Sequence, residues 1–162
     1  MSLKKALLAE FEHEMNGTRK VLERVPEAQF GWTPHAKSMT AGRLAGHLAG
    51  LPGWVPPTLQ LTELDITNYK SDEPATTAEL LAIFDRNVEA GRAALTACPD
   101  DAWGVDWSLT GHGHTYFTMP RAAVIRSFVF NHIVHHRAQL TVYLRLLGAP
   151  VPGLYGPSAD ES

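Results

Sequence analysis

The apolar positions Leu3, Leu7, Phe11, Met15, Thr18, Leu22 and Val25 recur at steps of three and four, which lays one stripe along a helix, and Pro26 ends the run. A first helix over 3–25 is predicted. His13 lies about 200° around such a helix from both Phe11 and Met15 and faces solvent. After a polar connector, "HAKSMT", the stretch "TAGRLAGHLAGL" puts Leu44, His47, Leu48 and Leu51 on one face, predicting a second helix over 40–51 that stops near Pro52. "PGWVPPTLQLTELDITNYKSDEPA" holds four of the eleven prolines and reads as a long crossover with a short helical continuation. "TTAE" at 76–79 has capping-box spacing, and Leu81, Phe84, Val88, Leu95 and Cys98 carry a third helical stripe over 76–98 to Pro99.

"WGVDWSLTGHGHTYFTMP" alternates imperfectly around glycine-rich turn chemistry and predicts an irregular pair of short strands. From Pro120 an apolar run continues to Gly148, with Pro150 just beyond, predicting a fourth helix over 120–147. Its first half is apolar on nearly all sides, the mark of a buried helix. The tail "APVPGLYGPSADES" is turn-rich and is expected to lie over the end of the bundle. These elements predict an all-α fold, a four-helix bundle with long crossover connections and a short irregular β-hairpin before the last helix. They fit one domain spanning 1–162.

Composition narrows the class. With 44% hydrophobic and 19% charged residues the chain can bury a core, and no apolar run approaches a membrane span. A formal charge of −3 offers no basic stripe for phosphate backbones, so nucleic acid is not an expected partner. Glu10, Glu12 and Glu14 interrupt the N-terminal apolar run before any cleavage site, which argues against a signal peptide. The single cysteine, Cys98, cannot form an internal disulfide, and a cytoplasmic location is expected. Cys98 sits on the apolar stripe of the third helix, where a small core residue is the simplest reading.

The chemistry concentrates in "NHIVHHRAQL", residues 131–140, with three histidines in five positions. His132 and His136 are four residues apart, so both imidazoles stand on one helix face and can reach one ion. Ile125, Phe128, His132, His136, Gln139, Tyr143 and Leu147 form one stripe, which predicts that the pair points toward the core. His47 lies in the apolar stripe of the second helix, flanked by Gly46 and Gly50, whose missing side chains leave room nearby and, with the loop near Trp54, could leave a pocket open beside the site. Three inward histidines on two facing helices make a three-nitrogen metal site with open coordination positions; spacing alone equally allows three hydrogen-bonded core histidines. His135 is rotated about 100° from His136 and reads as a supporting or surface group. Arg137 and Gln139 could hydrogen-bond to ligands or substrate, with solvation the default for Arg137. His112 and His114, flanked by glycines, read as turn residues rather than as a metal pair.

"SMTAGRLAGHLAGLPGW" and "NHIVHHRAQLTVYLR" followed by "PVPGLYGPSADE" resemble the DinB/YfiT-like family of metal-dependent enzymes, unrelated to the DNA polymerase that shares the name. The resemblance runs along almost the whole chain. It implies a four-helix bundle with a metal site of one histidine on the second helix and two on the fourth, at positions matching His47, His132 and His136. Where the family pattern "HHRGQ" often has glycine, this chain has Ala138. The resemblance implies one divalent transition metal ion per chain, zinc or nickel, and a homodimer. It also implies transferase chemistry on a small-molecule substrate, in which a low-molecular-weight thiol joins a small electrophile. The alternatives are a metal-dependent hydrolase, with Glu10 or Glu14 as base, and a non-catalytic metal or small-ligand binding bundle of stress response.

Overall fold

Ser2 starts α1 (Leu3–Leu22) by accepting a hydrogen bond from the Lys5 N–H in the computed structural model, which describes residues 2–161. The predicted stripe is the buried one: Leu7, Phe11, Met15, Thr18 and Leu22 are each no more than 2% exposed. Thr40 caps α2 (Ala41–Gly50), which passes through a 3-10 turn, Leu51–Trp54, into α3 (Val55–Gln60). The prolines of this stretch sit in first helical turns, where a missing N–H costs nothing. Thr76 accepts from the Glu79 N–H at 3.1 Å and the Glu79 carboxylate accepts from the Ala75 N–H at 2.8 Å, so the predicted cap does start α4 (Thr77–Ala97). The last helical stretch comprises α5 (Arg121–Ala123), a π-helical segment (Val124–Phe130) and α6 (Asn131–Leu146). Gly148, at φ +69°, ends it.

The fold is mostly helical. α1 and α2 each pack against both α4 and α6, around one main apolar cluster. At Gly91 a Cβ would come within 2.9 Å of the Phe11 ring, so the glycine sets how closely α4 approaches α1. Among the described residues no helix is long and apolar enough to cross a membrane.

The all-α reading with a lone hairpin needs correction. β1 (Glu63–Asp65), β2 (Asp106–Gly111) and β3 (His114–Pro120) form a three-stranded sheet in that order, with β1 parallel to β2 and β2 antiparallel to β3. The extra strand comes from the crossover and pairs Glu63 with Ser108, a partner too distant in sequence for local alternation to reveal. Trp107, fully buried, anchors the sheet through an Nε1–H bond to the Pro57 carbonyl at 3.1 Å. His112 and Gly113, at φ +50° and +76°, both take the left-handed conformation that a two-residue hairpin requires. His112 and His114 are exposed there, in the turn role the glycines suggested.

A second correction concerns the rotation of the last helix. The deeply buried positions of α6 are Ile133, Arg137, Leu140 and Leu144. This stripe is offset by about 100° from the one predicted through His132, His136 and Gln139. Arg137, expected in solvent, is 1% exposed, and Glu14 is 7% exposed. The Arg137 guanidinium lies 2.5 Å from a Glu14 carboxylate oxygen and donates to the Glu14 carbonyl at 3.0 Å and to Thr18 Oγ1 at 3.3 Å. The tail closes over this pair, Tyr155 giving its hydroxyl hydrogen to the Glu14 carboxylate at 2.9 Å. Neither charge was legible, because each partner's burial depends on the other, on a helix more than a hundred residues away.

Removing one member of a buried ion pair leaves the other charge uncompensated, whereas replacing both by apolar groups is far milder. Arg137→Met is therefore expected to destabilise the fold by about 3–5 kcal/mol, and Glu14→Leu/Arg137→Met by much less. Urea unfolding of the two single variants and the double variant measures this. Additive losses would show that the pair does not act as a unit.

Candidate metal centre

His47 comes from the edge of α2 and His132 and His136 from the flank of α6, next to the buried stripe rather than within it. His47 and His132 are half-buried and His136 is 9% exposed. The three side chains meet. His47 Nε2 lies 3.3 Å from His132 Nε2, which lies 2.9 Å from His136 Nε2, and the three ligand atoms all fall within 4.8 Å of one another. Two nitrogens bound to one ion at about 2.0–2.1 Å, at angles of about 90–109°, stand about 2.9–3.4 Å apart. Both close separations fall in that range.

Hydrogen bonding alone does not explain the cluster. His136 Nδ1 is 2.8 Å from Gln139 Oε1, an acceptor, so Nδ1 carries the hydrogen and the Nε2 of the neutral ring presents a bare lone pair. An imidazole nitrogen holds either one hydrogen or one lone pair, so His132 Nε2, facing a nitrogen on each side, cannot satisfy both contacts. If it donated to His136, its own buried Nδ1 would be a bare acceptor, and that atom has no hydrogen-bond donor. With hydrogen on Nδ1 instead, on the side of the Phe128 carbonyl one turn back, His132 Nε2 presents a lone pair as His136 Nε2 does, and the three ligand atoms lie within 4.8 Å of one another. That donor set suits a divalent transition ion.

Electrostatics agree. Burial, then the charges of His136, His132 and Arg43, push the His47 imidazole down from 6.5 to about 4. Burial is also the main cause lowering His132 and His136, offset by the Phe128 carbonyl at the former and by Gln139 at the latter. Neutral imidazole is the form that binds metal.

The surroundings revise other expectations. Gly46 is not open space: a Cβ there would meet the Asp72 carbonyl at 2.6 Å and Pro74 at 2.7 Å, so it lets the crossover lie against α2. Gly50, Gly53 and Trp54 do line a cavity of about 280 Å³, together with Pro57, Leu64 and Tyr69. A second cavity, of about 350 Å³, opens onto His132 between Phe128, Asn131 and His135. Aromatic rings link the two, with Trp54 5.3 Å from Phe128 and Phe128 5.7 Å from His132 between centroids. Cys98 is buried on the core side, its thiol pushed up chiefly by burial. Glu10 pairs with Arg126 and Glu14 with Arg137, so neither carboxylate is free to act as a base. Gln139, read from the sequence as a group able to hydrogen-bond to ligands, accepts from His136; the charge of Arg43, one turn before His47, is the feature spacing did not single out.

His47 binds fewer protons in the folded chain than in the unfolded chain between about pH 6.5 and 4, so acid favours unfolding over that window. Its contribution is complete above about pH 6.5 and is lost as pH falls through about 4. The metal-free protein is expected to lose thermal stability between pH 7 and 5, and His47→Gln to lose less. Identical pH profiles for the two proteins would contradict this.

The likeness to known proteins covers the whole chain. A protein of Bacillus subtilis (strain 168), the uncharacterized YrdA, is 29% identical over 156 residues, covering 95% of this chain and 89% of that protein. A crystal structure of a DinB-like protein from Bacillus cereus superposes with a TM-score of 0.71 at 22% identity, covering 93% of this chain and 97% of the other. The crystal structure of the mycothiol-dependent maleylpyruvate isomerase matches with a TM-score of 0.52 at 16% identity, over 90% of this chain and 61% of that one. The model of the DinB family matches residues 1–162, and the chain belongs to the DinB family.

Proposed function

We propose that the protein is a metal-dependent enzyme that transfers a low-molecular-weight thiol to a small electrophile. The observation that carries this reading is the convergence of three imidazole nitrogens beside a cavity. A zinc or nickel ion held there by neutral ligands keeps its full charge and lowers the pKa of a bound thiol, supplying a thiolate at neutral pH. His47, His132 and His136 hold the ion; Gln139 keeps His136 in the ligating tautomer. Phe128 and Trp54 form an apolar wall that shields the reacting atoms from water. The thiol gives its proton to solvent, its sulfur forms a bond to carbon, and the leaving group departs with its electron pair. No protein nucleophile is needed, which agrees with the buried Cys98. The mycothiol dependence of one solved structural neighbour supports the thiol half of the reading. Hydrolysis is less well supported, since the carboxylates weighed as its base are engaged in ion pairs.

Conjugation of monochlorobimane to bacillithiol, mycothiol, glutathione or coenzyme A, followed by fluorescence, tests the proposal. Turnover with at least one thiol is expected to disappear on chelation, to fall at least about tenfold in His136→Ala, and to persist in Cys98→Ser. Inactivity of the metal-loaded protein with all four thiols contradicts transfer. Activity that survives His136→Ala but not Cys98→Ser contradicts the mechanism.

A further inference from the structure

Arg43 precedes His47 by four residues on α2, so it stands on the same side of the helix about one turn, or about 6 Å, along the axis. It is exposed, and with Lys70 of the crossover it lines a cavity of about 500 Å³ with Tyr69, Ser71 and Glu73. Tyr69 and Lys70 also line the cavity beside Gly50 and Trp54, so the cationic and aromatic hollows adjoin at these two residues. Tyr69 packs edge-on against Trp54 at 5.3 Å, which in turn packs against Phe128 beside His132. A path of apolar rings thus leads from the histidines to two positive charges.

Those charges are unspent. Arg19, Arg92, Arg126, Arg137 and Arg145 each have a carboxylate partner, whereas among the described residues Arg43 and Lys70 have none within 4.0 Å. Glu73 lines the same cavity and Asp72 the adjoining one, but both lie beyond ion-pair reach of Arg43 and Lys70, so neither cation is neutralised by direct contact. A guanidinium offers paired donors that match a carboxylate, and an ammonium adds a second, more mobile charge.

We propose that Arg43 and Lys70 form a carboxylate-binding subsite, about one helical turn from the histidines, that selects thiols carrying a carboxylate. The proposal rests on the thiol reading above and adds the substrate class. Sulfur sits at the three histidines, the carboxylate reaches Arg43 and Lys70, and the rings of Trp54 and Tyr69 flank the intervening carbon chain.

The cobalt-loaded protein tests this without turnover, because a thiolate on cobalt gives a charge-transfer absorption band whose growth reports thiol affinity. Two probes share one carbon chain and differ in the charge at its end: 3-mercaptopropionate and its methyl ester. The acid is expected to bind at least about fivefold more tightly than the ester. Arg43→Gln and Lys70→Gln should each reduce that ratio, and the double variant should bring it to about one. The ligand-field bands of bound cobalt show in each variant that the protein is folded and loaded. Equal affinity for acid and ester in the wild type overturns the subsite, as does a preference that survives both substitutions. A cobalt centre that gives no thiolate band with either probe contradicts thiol binding itself, and the subsite falls with it.

Discussion

Three imidazole nitrogens held within 4.8 Å of one another are the constraint from which the rest of the site follows. His132 Nε2 stands between two other ring nitrogens, at 3.3 and 2.9 Å, and cannot satisfy both by hydrogen bonding. Burial and mutual proximity oppose protonation, holding His47 near 4. A divalent cation resolves both difficulties at once, because it accepts three lone pairs and tolerates three neutral ligands. The hydrogen bond between His136 Nδ1 and Gln139 matters for the same reason: it fixes which nitrogen faces inward.

The position of the site depends on how α6 is rotated. Ile133, Arg137, Leu140 and Leu144 face the core, and the histidines therefore lie at its edge, where a cavity reaches His132. A pair of histidines pointing straight into the main apolar cluster would have had no opening to that cavity. The Arg137–Glu14 pair, covered by Tyr155, fixes that rotation by locking α6 to α1. The wide turns of the π-helical segment, Val124–Phe130, set the phase in which α6 begins, and Phe128 and His132 emerge beside one cavity.

Much of this was legible in residue order. The stripe Leu7, Phe11, Met15, Thr18, Leu22 is the buried face of α1, and the Thr76–Glu79 cap starts α4 because both readings rest on local chemistry. His47, His132 and His136 were singled out by spacing and by family resemblance, and they converge. What failed was non-local. The strand Glu63–Asp65 exists only because Ser108 to Thr110 lies beside it. The burial of Arg137 follows from Glu14, and the π-helical turns leave no mark in an all-apolar run. Gly46 shows the subtler failure: a glycine beside a ligand reads as room, yet the Asp72 carbonyl already fills that room.

The most direct test is metal uptake by untagged protein, stripped of metal and titrated with zinc or nickel. One divalent ion per chain is expected in the wild type, strongly reduced uptake in His47→Ala/His132→Ala, and full uptake in His112→Ala/His114→Ala. Uptake by the wild type that is no better than that of His47→Ala/His132→Ala would contradict the three-histidine centre.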